Sequence, residues 1–236
     1  MRLSIVIYDG LTALDAVGGY EVLARVPGME TEFIGSSRGV VAADTRALGL
    51  AAFRAFEEVE KTDILYVPGG PGGLLLERDE AFLDALRRLD TQSTWTVGIC
   101  NGVGLLAAAG LLAGRSATTN WFYRRQLEAY GVACVPDRYH RDGKFVTGAG
   151  VSASLDAGLF LAGLIAGEAV AKTIQLGIEY YPAPPFPERS PEDAPARSQA
   201  LVRAFEETGG LAQLRRKPPF AAIPASRAAA QPAGGR

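Results

Sequence analysis

The run Thr94–Leu112, TWTVGICNGVGLLAAAGLL, places a cysteine between a hydrophobic strand and a small-residue helix. Within it, Gly98-Ile99-Cys100-Asn101-Gly102 has the spacing of a nucleophile elbow, with sulfur in place of hydroxyl. A sharp strand-to-helix turn forces the nucleophile into a strained backbone conformation, and flanking glycines remove the side chains that would clash. Such a turn exposes the thiol at the carboxyl end of a sheet, where open α/β folds build their sites. The partial positive charge of the following helix N-terminus favours thiolate, so a lowered thiol pKa is expected. Free N–H groups there, and in Pro68-Gly69-Gly70, are candidates to stabilise a developing anion. The plain alternative for Cys100 is a buried structural cysteine. Cys134, inside the strand VACV, lacks this context and reads as core.

A nucleophilic cysteine commonly takes histidine as its base. The one histidine here, His140, sits among Arg138, Arg141 and Asp142 in a predicted hairpin and reads as a solvated residue. That argues against a Cys-His protease or a Cys-His-Glu amidotransferase and leaves carboxylates as acid/base candidates. Asp15 is the best placed, following the first strand in Leu11-Thr12-Ala13-Leu14-Asp15; a helix cap is the competing reading. Its catalytic use requires the first strand and the cysteine's strand to be neighbours, so that both loops open on one crevice. Glu21, six residues on, reads as surface or structural. Gly148-Ala149-Gly150-Val151-Ser152-Ala153 matches a dinucleotide fingerprint with Glu168 about 20 residues on, but too little chain follows to complete a dinucleotide-binding half. These glycines are read as allowing a close strand-to-helix turn.

The elements that must position these residues alternate as in a parallel α/β sheet. Strands are predicted at Leu3–Tyr8, Thr31–Ser36, Asp63–Val67 and Thr94–Ile99. Helices are predicted at Leu14–Val26, Glu80–Leu89 and Gly102–Leu112, from apolar positions at helical spacing. A further step comprises Arg115–Thr119, a helix over Trp121–Tyr130, and Val132–Val135. Arg138–Asp142 and Lys144–Thr147 flank the turn dipeptide Asp142-Gly143 and form a predicted hairpin. Two helices follow, at Ser152–Ile165 and Glu168–Ile178. Ten of the 14 prolines fall from Pro182 onward, a density that neither helices nor central strands tolerate. The main domain is therefore expected over 1–186 and an extension with one helix, Ser198–Leu214, over 187–215. A disordered tail is expected over 216–236.

Composition agrees with a soluble globular chain of 236 residues: 48% hydrophobic and 21% charged. Lys and Arg total 24 against 26 Asp and Glu, without the basic excess of a nucleic-acid binder. The apolar stretch Ala157–Gly167 is far below the roughly 20 residues of a membrane span, and the N-terminus lacks a signal-peptide pattern. Two cysteines do not frame a disulfide scaffold. A cytoplasmic enzyme or binding protein is the expectation.

The elbow, with Leu105–Leu112 behind it, resembles the DJ-1/PfpI superfamily. Val67-Pro68-Gly69-Gly70, Ala117-Thr118-Thr119-Asn120-Trp121, Asp142-Gly143, Thr147–Gly150 and Gln175–Phe186 match as well. The last two, with Leu14-Asp15, look most like the isocyanide hydratase branch. Roughly residues 1–200 are covered. The resemblance implies a flavodoxin-like, glutamine amidotransferase-like sandwich with a mostly parallel central sheet and helices on both faces. It further implies a homodimer acting on a small molecule without metal or cofactor, with no nucleic-acid or membrane partner.

By the same resemblance, Cys100 attacks the isocyanide carbon, Asp15 serves as general acid/base, and Asn101, Gly69 and Gly70 hold water and charge. Two departures stand out. Isocyanide hydratases carry threonine where this chain has Asn101, and a Thr-Thr-His-Trp run reads Thr119-Asn120-Trp121 here. Glyoxalase-like chemistry on α-oxoaldehydes and a non-catalytic redox-sensing or ligand-binding module are the alternatives.

Overall fold

The computed structural model describes residues 1–220. In chain order the elements begin with β1 (Arg2–Val6), α1 (Ala13–Leu23), β2 (Glu30–Gly35), β3 (Gly39–Ala42) and β4 (Gly49–Ala52). They continue with β5 (Arg54–Ala55), β6 (Ile64–Val67), α2 (Gly73–Leu76), α3 (Glu80–Gln92), β7 (Trp95–Ile99) and α4 (Gly102–Ala108). Next come β8 (Ser116–Ala117), α5 (Arg124–Ala129), β9 (Ala133–Cys134), β10 (Tyr139–Asp142) and β11 (Phe145–Gly148). The last are α6 (Ala153–Ala166), α7 (Glu168–Gly177), α8 (Ala196–Ala204) and α9 (Gly210–Gln213).

Seven strands form the central sheet in the order β10-β11-β7-β6-β1-β2-β5, parallel throughout except for the β10–β11 hairpin. All four residues of β6, Ile-Leu-Tyr-Val, are buried. A run that is apolar at every position is what a strand covered on both faces requires. One packed helix group is α1, α6 and α7; the other is α2, α3, α4 and α5. α3 shows how sequence sets such an element. Phe82, Leu83, Leu86 and Leu89 recur on one face and are buried, and the Asp79 side chain caps the start by accepting from Phe82 N at 3.1 Å.

The parallel α/β architecture agrees with the expectation, and most elements fall within a few residues of their predicted spans. Three differences appear, the first two with local physical causes. The helix after the elbow ends at Ala108 rather than Leu112, because Gly110 turns left-handed at φ +77°. The helix expected from Trp121 begins only at Arg124, because the Asn120 side-chain oxygen accepts from Tyr123 N at 2.9 Å and holds a turn there. β3 and β4 form an antiparallel hairpin where no strands were expected.

Beyond α7 the chain crosses the proline-rich stretch and returns to the domain. Arg124 pairs with Glu192 at 3.0 Å, Arg203 lies over the Trp121 ring at 4.3 Å, and Arg46 Nε donates to the Arg216 carbonyl at 3.0 Å. Where one helix was expected over Ser198–Leu214, α8 and α9 are separated by a π turn, Phe205–Gly209. The tail expected over 216–236 lies outside the described residues from 221 onward.

Candidate active site

Cys100 immediately follows β7 with φ +57°, a left-handed conformation that costs a non-glycine residue of order 1–3 kcal/mol. The turn closes only because its flanks lack side chains. A Cβ on Gly102 would lie 2.4 Å from the Val67 carbonyl oxygen, and one on Gly98 would lie 2.9 Å from Leu106 Cδ1. The strain is held by backbone: Cys100 N donates to the carbonyls of Gly148 and Ala149, and Thr119 Oγ1 donates to the Cys100 carbonyl at 2.6 Å. The thiol is 5% exposed.

Asp15, in the first turn of α1, is fully buried. It is not a cap. Its Oδ2 accepts from Gly69 N at 2.9 Å, while Oδ1 is buried without a hydrogen-bond partner. The carboxyl faces the Cys100 thiol. The expectation that the strands of these two residues are neighbours is corrected: β6 lies between β1 and β7. The crevice forms nonetheless, because the Gly69 loop after β6 bridges the gap and carries the carboxyl toward the sulfur.

Burial raises the Asp15 pKa to about 7, against the opposing pull of the Gly69 N–H and the thiol. Burial, and then the charge of Asp15, also push the Cys100 thiol well above its ordinary value; the Asn120 and Asn101 amides pull it the other way. The lowered thiol pKa expected from a helix N-terminus is therefore reversed. Desolvation and a neighbouring carboxylate outweigh the dipole of a seven-residue helix.

The expected anion-binding role of Gly69 and Gly70 is corrected too. Gly69 N is used by Asp15, and Gly70 N donates to Asn101 Oδ1 at 2.6 Å. Asn101 Nδ2 returns a bond to the Gly70 carbonyl at 3.0 Å. The Asn101 side chain is thus a two-point clip on the Gly70 peptide groups, and its own backbone N–H is the group turned toward the sulfur.

One residue was missed as a site member. Asn120 Nδ2 donates to Cys100 Sγ at 2.9 Å, and the Tyr123 N–H fixes which end of the amide points there. The signal was its place in the Thr-Thr-Asn-Trp run, where the branch carries histidine. The remaining candidates lie elsewhere. His140 Nε2 contacts Ser116 Oγ at 2.7 Å on the edge hairpin, and Glu21 pairs with Arg25. Cys134, expected in the core, is partly buried on β9 and packs against the core from its edge. The Gly148–Ala153 segment turns from β11 into α6 as expected of a packing motif, and Gly150, Val151 and Ser152 line the thiol's cavity.

That cavity, of about 400 Å³, opens at the carboxyl ends of the parallel strands. Trp121, Phe122 and Phe205 supply aromatic wall, and Thr12, Asp44 and Thr45 line one side. Glu206, Gly210 and Gln213 of the extension roof it. Asp44 is positioned by the β3–β4 hairpin: its N–H donates to the Leu11 carbonyl at 2.8 Å. Among the described residues, no group of three or more His, Cys, Asp and Glu is placed to hold a metal ion, and no helix is long and apolar enough to cross a membrane.

Comparison with known proteins agrees with this architecture. The family model described as "DJ-1/PfpI family" matches residues 1–162. This chain belongs to the DJ-1/PfpI family. It is 37% identical over 196 residues to an isonitrile hydratase of Pseudomonas putida, covering 83% of this chain and 86% of that protein. A ThiJ/PfpI family crystal structure from Pseudomonas syringae superposes with a TM-score of 0.83 at 29% identity, over 91% of this chain and 90% of the other. Drosophila melanogaster DJ-1beta shares the fold at a TM-score of 0.69 and 22% identity, over 77% and 98% of the two chains. The DJ-1/PfpI membership accounts for the flavodoxin-like sheet.

Proposed function

We propose that this chain hydrates isocyanides to N-substituted formamides. The observation that carries the reading is the pairing of a left-handed, buried Cys100 with a buried carboxyl whose pKa is about 7. A group titrating near the working pH serves equally well as base and acid. The likeness to an isonitrile hydratase over most of both chains supports the choice of electrophile.

In the reaction, Asp15 carboxylate accepts the thiol proton as Cys100 sulfur attacks the terminal carbon of R–N≡C. The proton then passes from Asp15 to that carbon, giving the thioimidate R–N=CH–S–Cys100. Asp15, ionised again, takes a proton from an incoming water as its oxygen adds to the carbon. That proton moves to nitrogen; the C–S bond then breaks with its electron pair returning to sulfur while Asp15 takes the remaining hydroxyl proton and passes it to that sulfur, and R–NH–CHO leaves with the Cys100 thiol restored. Asn120 Nδ2 and the Asn101 backbone N–H steady the sulfur in the steps where it carries charge. Asn101 holds the Gly69–Gly70 loop, and with it the hydrogen bond that aims Asp15. The working unit in this reading is a homodimer, as the family resemblance implies.

The test is formamide formation from an aryl isocyanide by the full chain, beside Cys100→Ala. Turnover by the wild type and none by the variant is the expected result. Equal rates for the two, or no turnover by a folded wild type across several isocyanides, overturns it.

A further inference from the structure

The cavity above Cys100 has carboxylates on two sides and no cation among its lining residues. Asp44 stands on the β3–β4 side, held by Thr12 Oγ1 at 2.8 Å and by Thr45 N at 2.7 Å. These donors fix its position without cancelling its charge. Glu206 comes from the π turn of the extension, half-buried, with no hydrogen-bond or ion-pair partner among the described residues. The two carboxylates act on each other, and Glu206 also acts on both Cys100 and Asp15. Arg203, on the preceding turn, is stacked on Trp121 and lines the adjoining cavity, whose wall Glu206 also shares, but it is not ion-paired with Glu206.

Two half-desolvated acids facing one space, without an arginine or lysine, constitute an unanswered charge. The space is not an idle acidic patch: a nucleophile lies in it, and beside that nucleophile Asp15 Oδ1 is completely buried without a hydrogen-bond partner. A molecule that enters must bring its own counter-charge or leave these acids unmatched. Phe122 and Phe205 offer ring faces that attract cations as well as apolar groups, one face of Trp121 being taken by Arg203.

We propose that the cavity selects electrophiles bearing a cationic group, an alkylammonium held between Glu206 and Asp44 while the reactive carbon meets Cys100. The proposal rests on Cys100 being the nucleophile of the site. It names the substrate class as amine-bearing and makes Glu206 a specificity residue supplied by the extension. Anionic analogues of the same size are repelled.

The test uses methanethiosulfonates of three charges on the full chain in a Cys134→Ser background: 2-aminoethyl (cationic), methyl (neutral) and 2-sulfonatoethyl (anionic). Cys100 sulfur forms a new S–S bond, and methanesulfinate leaves with the electron pair of the broken bond. Each rate is divided by that of the same reagent with a small free thiol, which removes intrinsic reactivity. The cationic reagent is expected to exceed the anionic one by about tenfold or more. Glu206→Gln and Asp44→Asn are each expected to cut that ratio several-fold. Glu207→Gln, exposed on the same turn, keeps it.

A normalised ratio near one, or a ratio untouched by Glu206→Gln with Asp44→Asn together, overturns the proposal. Labelling needs only a thiol and access to it, so its outcome is independent of hydration. A biased ratio beside a silent isocyanide assay removes the hydratase reading and keeps this one. Turnover of isocyanides with an unbiased ratio does the reverse.

Discussion

The Asn120 amide nitrogen donates to the Cys100 sulfur over 2.9 Å, and it is locked in that orientation because its oxygen accepts from Tyr123 N. A neutral amide here supports the thiolate without titrating. Asn120→Ala is expected to slow Cys100 alkylation at neutral pH by about tenfold, in keeping with loss of one hydrogen bond to a charged group. The alkylation profile should move to higher pH, and Asn120→Gln should restore part of the rate. An unchanged iodoacetamide pH profile would show that the amide is a spacer only.

Asp15 ties reactivity to stability. Its pKa is 3.8 in an unfolded chain and about 7 in the fold, so the folded state holds the proton more tightly. The stabilising contribution is complete below pH 3.8 and is lost as pH rises through about 7, a change of roughly 4 kcal/mol. Asp15→Asn removes that dependence. The variant should be more stable than wild type at pH 8 by a few kcal/mol, should approach it near pH 5, and should not turn over. Urea titrations at the two pH values check the first part; an equal gap at both would contradict it.

Asn101 is read as a clip and therefore as a stability determinant. Asn101→Ala leaves the buried Gly70 N–H without a partner and removes one of the two donors to the Gly70 carbonyl, which still accepts from Gly73 N, and should cost about 2 kcal/mol in denaturant unfolding. Asn101→Thr, the residue of the hydratase branch, is too short to make both bonds. It should lose part of that stability while keeping Cys100 reactive. A wild-type midpoint for Asn101→Ala would remove the clip from the account.

Gly102→Ala would set a methyl 2.4 Å from the Val67 carbonyl oxygen, which is backbone and cannot swing away. The elbow must open to relieve this, at a cost of about 1–3 kcal/mol, and the sulfur must move off Asp15. Unfolding by urea and the alkylation rate at pH 7 should both report the change. Gly110→Ala, in a left-handed but open position, should lower stability by about 1 kcal/mol with alkylation unaffected.

The cysteine turn was readable because its constraints are local. Glycine at 98 and 102 around a cysteine, after a hydrophobic strand, has few physical uses, and the structure puts Cys100 at φ +57° there. Asp15 was readable as a carboxyl at the start of the first helix, after the first strand, but the route to the sulfur was not. That route runs through Gly69, in the loop after a strand that lies between the two, and strand order is a non-local property. Gly69 and Gly70 looked like free donors because sequence cannot show that Asp15 and Asn101 already use them. Asp44 and Glu206 were invisible as site residues for a similar reason. Each reaches the cavity through a tertiary packing event, a hairpin docking at Leu11 and an extension folding back.

That folded-back extension divides the labour of the chain along its length. The thiol, its carboxyl and its amide donor all fall within residues 1–162, the stretch matched by the family model, whereas Phe205, Glu206, Gly210 and Gln213 lie beyond it. The family segment thus carries the thiol and its partners together with Asp44, Trp121 and Phe122 of the cavity wall, and the extension adds the rest of that wall. A graft of residues 188–220 from a relative, or a recombination event near the proline-rich crossing, would recut the entrance while leaving the reaction centre intact. The same layout makes the chain a convenient scaffold for directed evolution, with mutagenesis confined to one surface strap.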